Sequence, residues 1–112
     1  MNPYPFKTFC ERIDGLPARN VLTAVALERQ TVGQDLALGR AQPSVDTASI
    51  LTFCRFLEGA SQGALTLDTI LPTGQWEFYR KTFERLAAAG ELPEEVRKDF
   101  DLAFPGRSRP AV

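Results

Sequence analysis

The sequence predicts an all-α, single-domain bundle of about five helices with short loops. Apolar residues recur at the i, i+3, i+4, i+7 spacing of one helical face along most of the chain. Prolines and glycines cut that pattern into segments of helical length. Only Leu65 to Leu71 begins to alternate as a strand would, and a lone strand has no partner elsewhere. A single helical turn stopped by Pro72 is the favoured reading there. The 112 residues allow one core but not two. With 44% hydrophobic and 24% charged residues the composition is that of an ordinary globular chain, not a disordered one.

The first helix is expected from Pro5 to Ile13, with Phe6, Phe9, Cys10 and Ile13 on one face. Pro5 suits a first turn, where its missing N–H costs nothing, and Gly15 reads as a left-handed stop. Pro17 opens a longer helix to about Leu38. Val21, Leu22, Val25, Val32 and Leu36 fall in a sector about 100° wide. Gly39 closes it. Gly33 either admits a close helix crossing or splits the helix in two. Arg29, at the rim of the apolar sector, reaches water or pairs with a carboxylate.

Pro43 and Ser44 begin the third helix, with Ser44 or Asp46 accepting the free N–H groups of its first turn. Ile50, Phe53, Cys54, Leu57, Ala60 and Ala64 share a face that Phe56 widens. That breadth marks the most buried helix. Gln75 to Ala89 is the clearest helix, with Trp76, Tyr79, Phe83, Leu86 and Ala87 together and Gly90 as its stop. Leu92-Pro93-Glu94-Glu95 restarts a fifth helix, placing acid at the positive end of its dipole. Val96, Phe100, Ala103 and Phe104 form its apolar face. The short link from Gly90 to Leu92 implies a C-terminal antiparallel helical hairpin. Residues 1–104 are thus the expected helical domain, and 105–112 a flexible tail.

Missing residue types narrow the function. The chain has no histidine and two cysteines, Cys10 and Cys54. A Ser-His-Asp or Cys-His nucleophile is therefore absent, and a four-ligand Cys/His zinc site is impossible within one chain. Neither glycine-rich phosphate-loop pattern occurs. No catalytic, cofactor or metal residue is identified, which argues against an enzyme. Carboxylate chemistry would have to draw on Asp14, Glu28, Asp35, Glu58 or Asp68, of which Glu58 lies on the helix expected to be most buried. The two cysteines, flanked by bulky apolar residues, read as reduced, buried thiols. No secretory signal opens the chain and no run of 18 apolar residues spans a membrane, so a cytoplasmic protein is expected. High Arg and Ala usage points to a GC-rich bacterial source.

With 13 basic and 14 acidic residues the chain is near neutral. The basic residues from Arg80 to Arg109 are matched by acidic ones over the same stretch, which argues against a nucleic-acid surface. Trp76, Tyr79 and Phe83 are core by spacing; the alternative is that they line a small-molecule pocket between helices. Phe78 points away from that face, so either another helix of the chain covers it or it meets a partner. Leu27, Leu38, Leu51 and Leu102 also point off their helices' main faces. These surplus apolar positions make the leading expectation a non-catalytic module that binds another protein, a second copy included. A small-molecule-binding bundle and a DNA-binding regulator are the alternatives.

Overall fold

The computed structural model describes residues 4–64 and 75–103, with the backbone alone at Trp76 and at 101–103. The expectations for 65–71, Asp68, Phe104 and 105–112 lie outside the described residues. Every regular element described is a helix: α1 (Phe6–Asp14), α2 (Ala18–Ala37), α3 (Val45–Ser61), α4 (Trp76–Ala88) and α5 (Glu94–Ala103). The all-α bundle expected from the sequence is therefore the observed fold.

Local chemistry sets the helix ends. Pro5 and Pro17 stand at the extended residue just before α1 and α2. Ser44 closes a reciprocal cap at the start of α3: its hydroxyl accepts the Thr47 N–H at 3.1 Å, and its own N–H donates to Thr47 Oγ1 at 2.9 Å. At the other end, α2, α3 and α4 stop alike. Gly39, Gly63 and Gly90 adopt φ of 74°, 87° and 76°. The residue after each glycine donates back five positions, as Glu91 N does to Leu86 O at 2.9 Å. Gly15 departs from its expected left-handed form, with φ −82°. A left-handed residue is not needed there, because Arg85 of α4 donates to Leu16 O at 2.9 Å and Ile13 O at 3.0 Å. A side chain from another helix satisfies the carbonyls that a glycine turn would otherwise protect.

Helix α3 is central. Ile50, Phe53, Cys54, Phe56, Leu57 and Ala60 are all buried. Helices α1 and α2 both pack on it, the α2–α3 pair most extensively, and α4 also meets α2. The core has two textures. Val21, Val25 and Val32 of α2 are fully buried and aliphatic. On the other flanks, rings from α1, α4 and α5 converge on Phe53 and Phe56. Phe53 lies 4.5 Å from Phe78 and 5.0 Å from Tyr79, and edge-on to Phe9 at 5.8 Å. Phe56 joins Tyr79 at 5.1 Å and Phe83 at 6.1 Å, and Phe83 stacks on Phe100 at 4.0 Å. Helix α5 is attached through that stack and through Phe56, whose ring centre lies 6.4 Å from that of Phe100. The antiparallel C-terminal pairing stays an expectation.

Gly33 neither splits α2 nor admits a neighbour. The helix is continuous, and a Cβ at this position would meet nothing within 4 Å. Gly33→Ala is therefore expected to stabilise the fold by up to about 1 kcal/mol, read as a higher urea midpoint. A loss of stability would show that the glycine has a role in packing. The ring cluster gives a second test. Phe78→Ala and Phe83→Ala should each cost about 3–5 kcal/mol in urea unfolding. A Phe78 loss below about 1 kcal/mol would contradict its placement in the core.

Candidate functional site

The expected surface residues divide sharply. Leu27 and Leu38 are each 63% exposed. They stand eleven residues apart, three turns of helix, and so lie within about 20° of one another around the α2 axis. Both sit about 130° from the Val21–Val25–Val32 stripe that faces α3. Leu51 is half-buried and packs against the core. Phe78 is only 8% exposed, covered by Phe53 and by Phe6 and Phe9 of α1. Of the two readings for Phe78, intramolecular cover is the observed one. The Leu102 side chain lies outside the described residues. Val45, the first residue of α3, is 79% exposed and was missed by pattern reading. Its signal was an apolar residue directly after the Ser44 cap, a position that faces solvent.

The expected pocket face is filled. Tyr79 and Phe83 are buried, with ring centres 5.1 Å and 6.1 Å from that of Phe56; the Trp76 side chain is outside the described residues. The buried face of α4 also holds Phe78, Thr82 and Leu86 and spans about 140°. A face centred on Trp76 was too narrow: the stripe through Phe78 and Thr82 is one edge of a single broad face.

Among the described residues, burial leaves three side-chain polar atoms unpartnered: Tyr79 OH, Thr82 Oγ1 and Gln75 Oε1. The Gln75 amide still donates to Ser49 Oγ at 2.8 Å. Burial also pushes the Tyr79 phenol pKa upward, keeping it protonated. The thiols behave alike. Both cysteines are free, and burial raises each pKa to about 12. Neither carries the thiolate fraction that nucleophilic chemistry needs near neutral pH.

Of the candidate acid–base carboxylates, the four among the described residues are each engaged. Asp14 accepts from Lys81 at 2.8 Å, Glu28 from Arg12 at 2.6 Å, Asp35 from the Tyr4 hydroxyl and Glu58 from Arg29. Glu58 is thus a rim carboxylate with a partner, and Arg29 takes the paired form of its two expected states. The hydrogen bond to Asp35 holds the Tyr4 proton, raising that phenol to about 12. On α4, Arg80 is shared between Glu77 and Glu84. The local pairing of charge continues the neutrality seen in composition. Among the described residues no group of three or more His, Cys, Asp or Glu is placed to hold a metal ion, and no helix is long and apolar enough to cross a membrane.

One cleft, of about 260 Å³, opens between α1 and α2. Phe9 and Ile50 supply its apolar lining, and Tyr4, Thr8, Arg12, Glu28 and Thr31 its polar lining. Spacing did not reveal it, because its walls come from segments about 20 residues apart and its Ile50 from a third helix. Comparison with protein-family models, with curated proteins and with solved structures found no match for this chain.

The orphaned Tyr79 hydroxyl yields a direct test. Removing a buried hydroxyl that has no partner relieves its desolvation, so Tyr79→Phe should leave unfolding unchanged or raise stability by up to about 1 kcal/mol. A loss larger than that would show that the hydroxyl holds a hydrogen bond in solution.

Proposed function

We propose that this chain is a non-catalytic helical module that acts by associating with protein, a second copy of itself being the simplest partner. The observation that carries the reading is the apolar outer edge of the α2–α3 pair. Leu27 and Leu38 stand on one side of α2, turned away from the core. Val45, the first residue of α3, is a further exposed apolar side chain on the same helix pair. Single exposed leucines are common, but aligned ones on a helix already packed on its opposite side call for cover. A self-complementary, two-fold contact is the commonest arrangement of small soluble oligomers.

The other readings draw less support. A ligand pocket at Trp76, Tyr79 and Phe83 would need space that Tyr79 and Phe83 fill with ring contacts. A DNA surface would need free basic groups on one face. Arg80, Lys81 and Arg85 are instead committed to carboxylates and to main-chain carbonyls.

Light scattering after size exclusion tests the proposal. The expected result is a mass near twice 12.4 kDa that is indifferent to reductant, because both thiols are free. The double variant Leu27→Lys, Leu38→Lys should return the monomer mass while keeping helical circular dichroism, since neither side chain is in the core. A monomeric wild-type chain at high concentration, or a dimer that survives the double variant, would contradict this face.

A further inference from the structure

We infer that two copies of this chain meet along α2, with the two α2 helices parallel and in register. The inference rests on the association reading above and adds the orientation of the partner. On a helix packed along one side, the opposite face ordinarily carries the charge. Helix α2 does the reverse. Its four charged residues, Arg19, Glu28, Arg29 and Asp35, all lie off the face turned away from α3. That face belongs to Asn20, Ala24, Leu27, Thr31, Gln34 and Leu38, of which Ala24 is half-buried and the rest exposed. Their spacing alternates between four and three residues, as along the seam of a two-stranded coiled coil, and spans about 27 Å. Depletion of charge is what distinguishes the centre of an interface from the surface around it.

The edges of the seam select the orientation. Asp35 and Glu28 stand about 60° and 80° to one side of it, and Thr23 and Gln30 at the same angles to the other. In a parallel pair unlike edges meet, so Glu28 faces Thr23 of the other copy and Asp35 faces Gln30. Each carboxylate has a partner in its own chain, Arg12 or Tyr4, and two oxygens with which to accept another hydrogen bond. An antiparallel pair sets like edges together and brings carboxylates against carboxylates, which is electrostatically mismatched. The seam itself selects the register. With the copies level, Leu27 and Leu38 each meet their own counterparts. Asn20 and Gln34 do the same, and an amide is both donor and acceptor to another amide. A slip of one heptad sets Leu27 against Gln34, so the amides fix the alignment at some cost in affinity. Thr31 donates its hydroxyl hydrogen to Leu27 O at 2.9 Å and needs no acceptor across the seam.

Disulfide mapping in the full chain tests the arrangement. Ala24→Cys and Thr31→Cys each add a thiol to the seam without touching its leucines or amides, and Lys98→Cys adds one to the exposed side of α5 as a collision control. Thr31 is exposed, so its variant keeps the fold even if that at Ala24, which packs against the core, does not. Mild oxidation is applied at a concentration where light scattering gives the dimer mass. The expected result is a covalent dimer bridged 24–24 or 31–31, at least about tenfold more abundant than for Lys98→Cys or the wild-type chain. A mixture of the two seam variants should give these two bridges and no 24–31 bridge, because the positions lie about 10 Å apart along the helix. A monomer mass overturns this pairing together with the association reading. A dimer mass with neither bridge above the control, or with 24–31 bridges as abundant as the other two, overturns the pairing alone.

Discussion

The contact between Phe53 and Phe78 holds the two halves of this chain together. Phe53 stands in the middle of α3 and Phe78 at the start of α4, with their ring centres 4.5 Å apart. Phe6 and Phe9 of α1 close over the same pair, and Tyr79 meets Phe53 edge-on. Offset and edge-on ring pairs each add about 0.5–1.5 kcal/mol beyond the burial of their area. The cluster therefore ties three helices distant in sequence to one point. Phe56, one turn along α3, extends the same contact through Phe83 to Phe100 and so reaches α5. Helix α2 joins from the opposite side with valines, whose small, stiff side chains fit a close helix pair.

That arrangement decides where function can reside. Tyr79 and Phe83, which drew attention as a possible pocket, are consumed by packing; Cys54 and the Tyr79 phenol are shut inside, Cys10 is half-buried, and all three have raised pKa values. What is left for recognition lies outside, on the far side of α2. The cleft that α2 shares with α1 adjoins that face, because Thr31 lies between the Leu27–Leu38 line and the cleft wall at Glu28 around the α2 axis. The polar bridges from Tyr4 and Arg12 keep α1 at a fixed distance from α2, and the cleft is the space they span.

Much of the fold was legible in the pattern of residues, and the reasons are local. Helices α1 to α5 follow from apolar spacing and from proline and glycine boundaries, within one or two residues except at the end of α3, which stops at Ser61 and leaves Ala64, expected on its face, exposed beyond it. The breadth of the α3 face announced its burial. What escaped depended on tertiary contact. Gly15 reads as a left-handed stop until Arg85 is seen to take the carbonyls beside it. Phe78 reads as surplus while the α4 face is centred on Trp76, and as core once α1 covers its other side. Leu51 likewise finds cover that its own helix does not show. Leu27 and Leu38 were readable because an exposed stripe opposite a buried one is a property of a single helix. The cleft was not, since it exists only where three segments meet.

Native-state hydrogen exchange tests most directly whether α3 and its ring contacts organise the whole molecule. Amides from Phe53 to Leu57 should exchange only through global unfolding, at the free energy measured by urea, and those of Phe78 to Phe83 should match them. Helix ends far from the rings should open at lower free energy. If the α3 amides exchange faster than those of α2, or α4 opens independently of α3, the ring cluster is not what holds the bundle together.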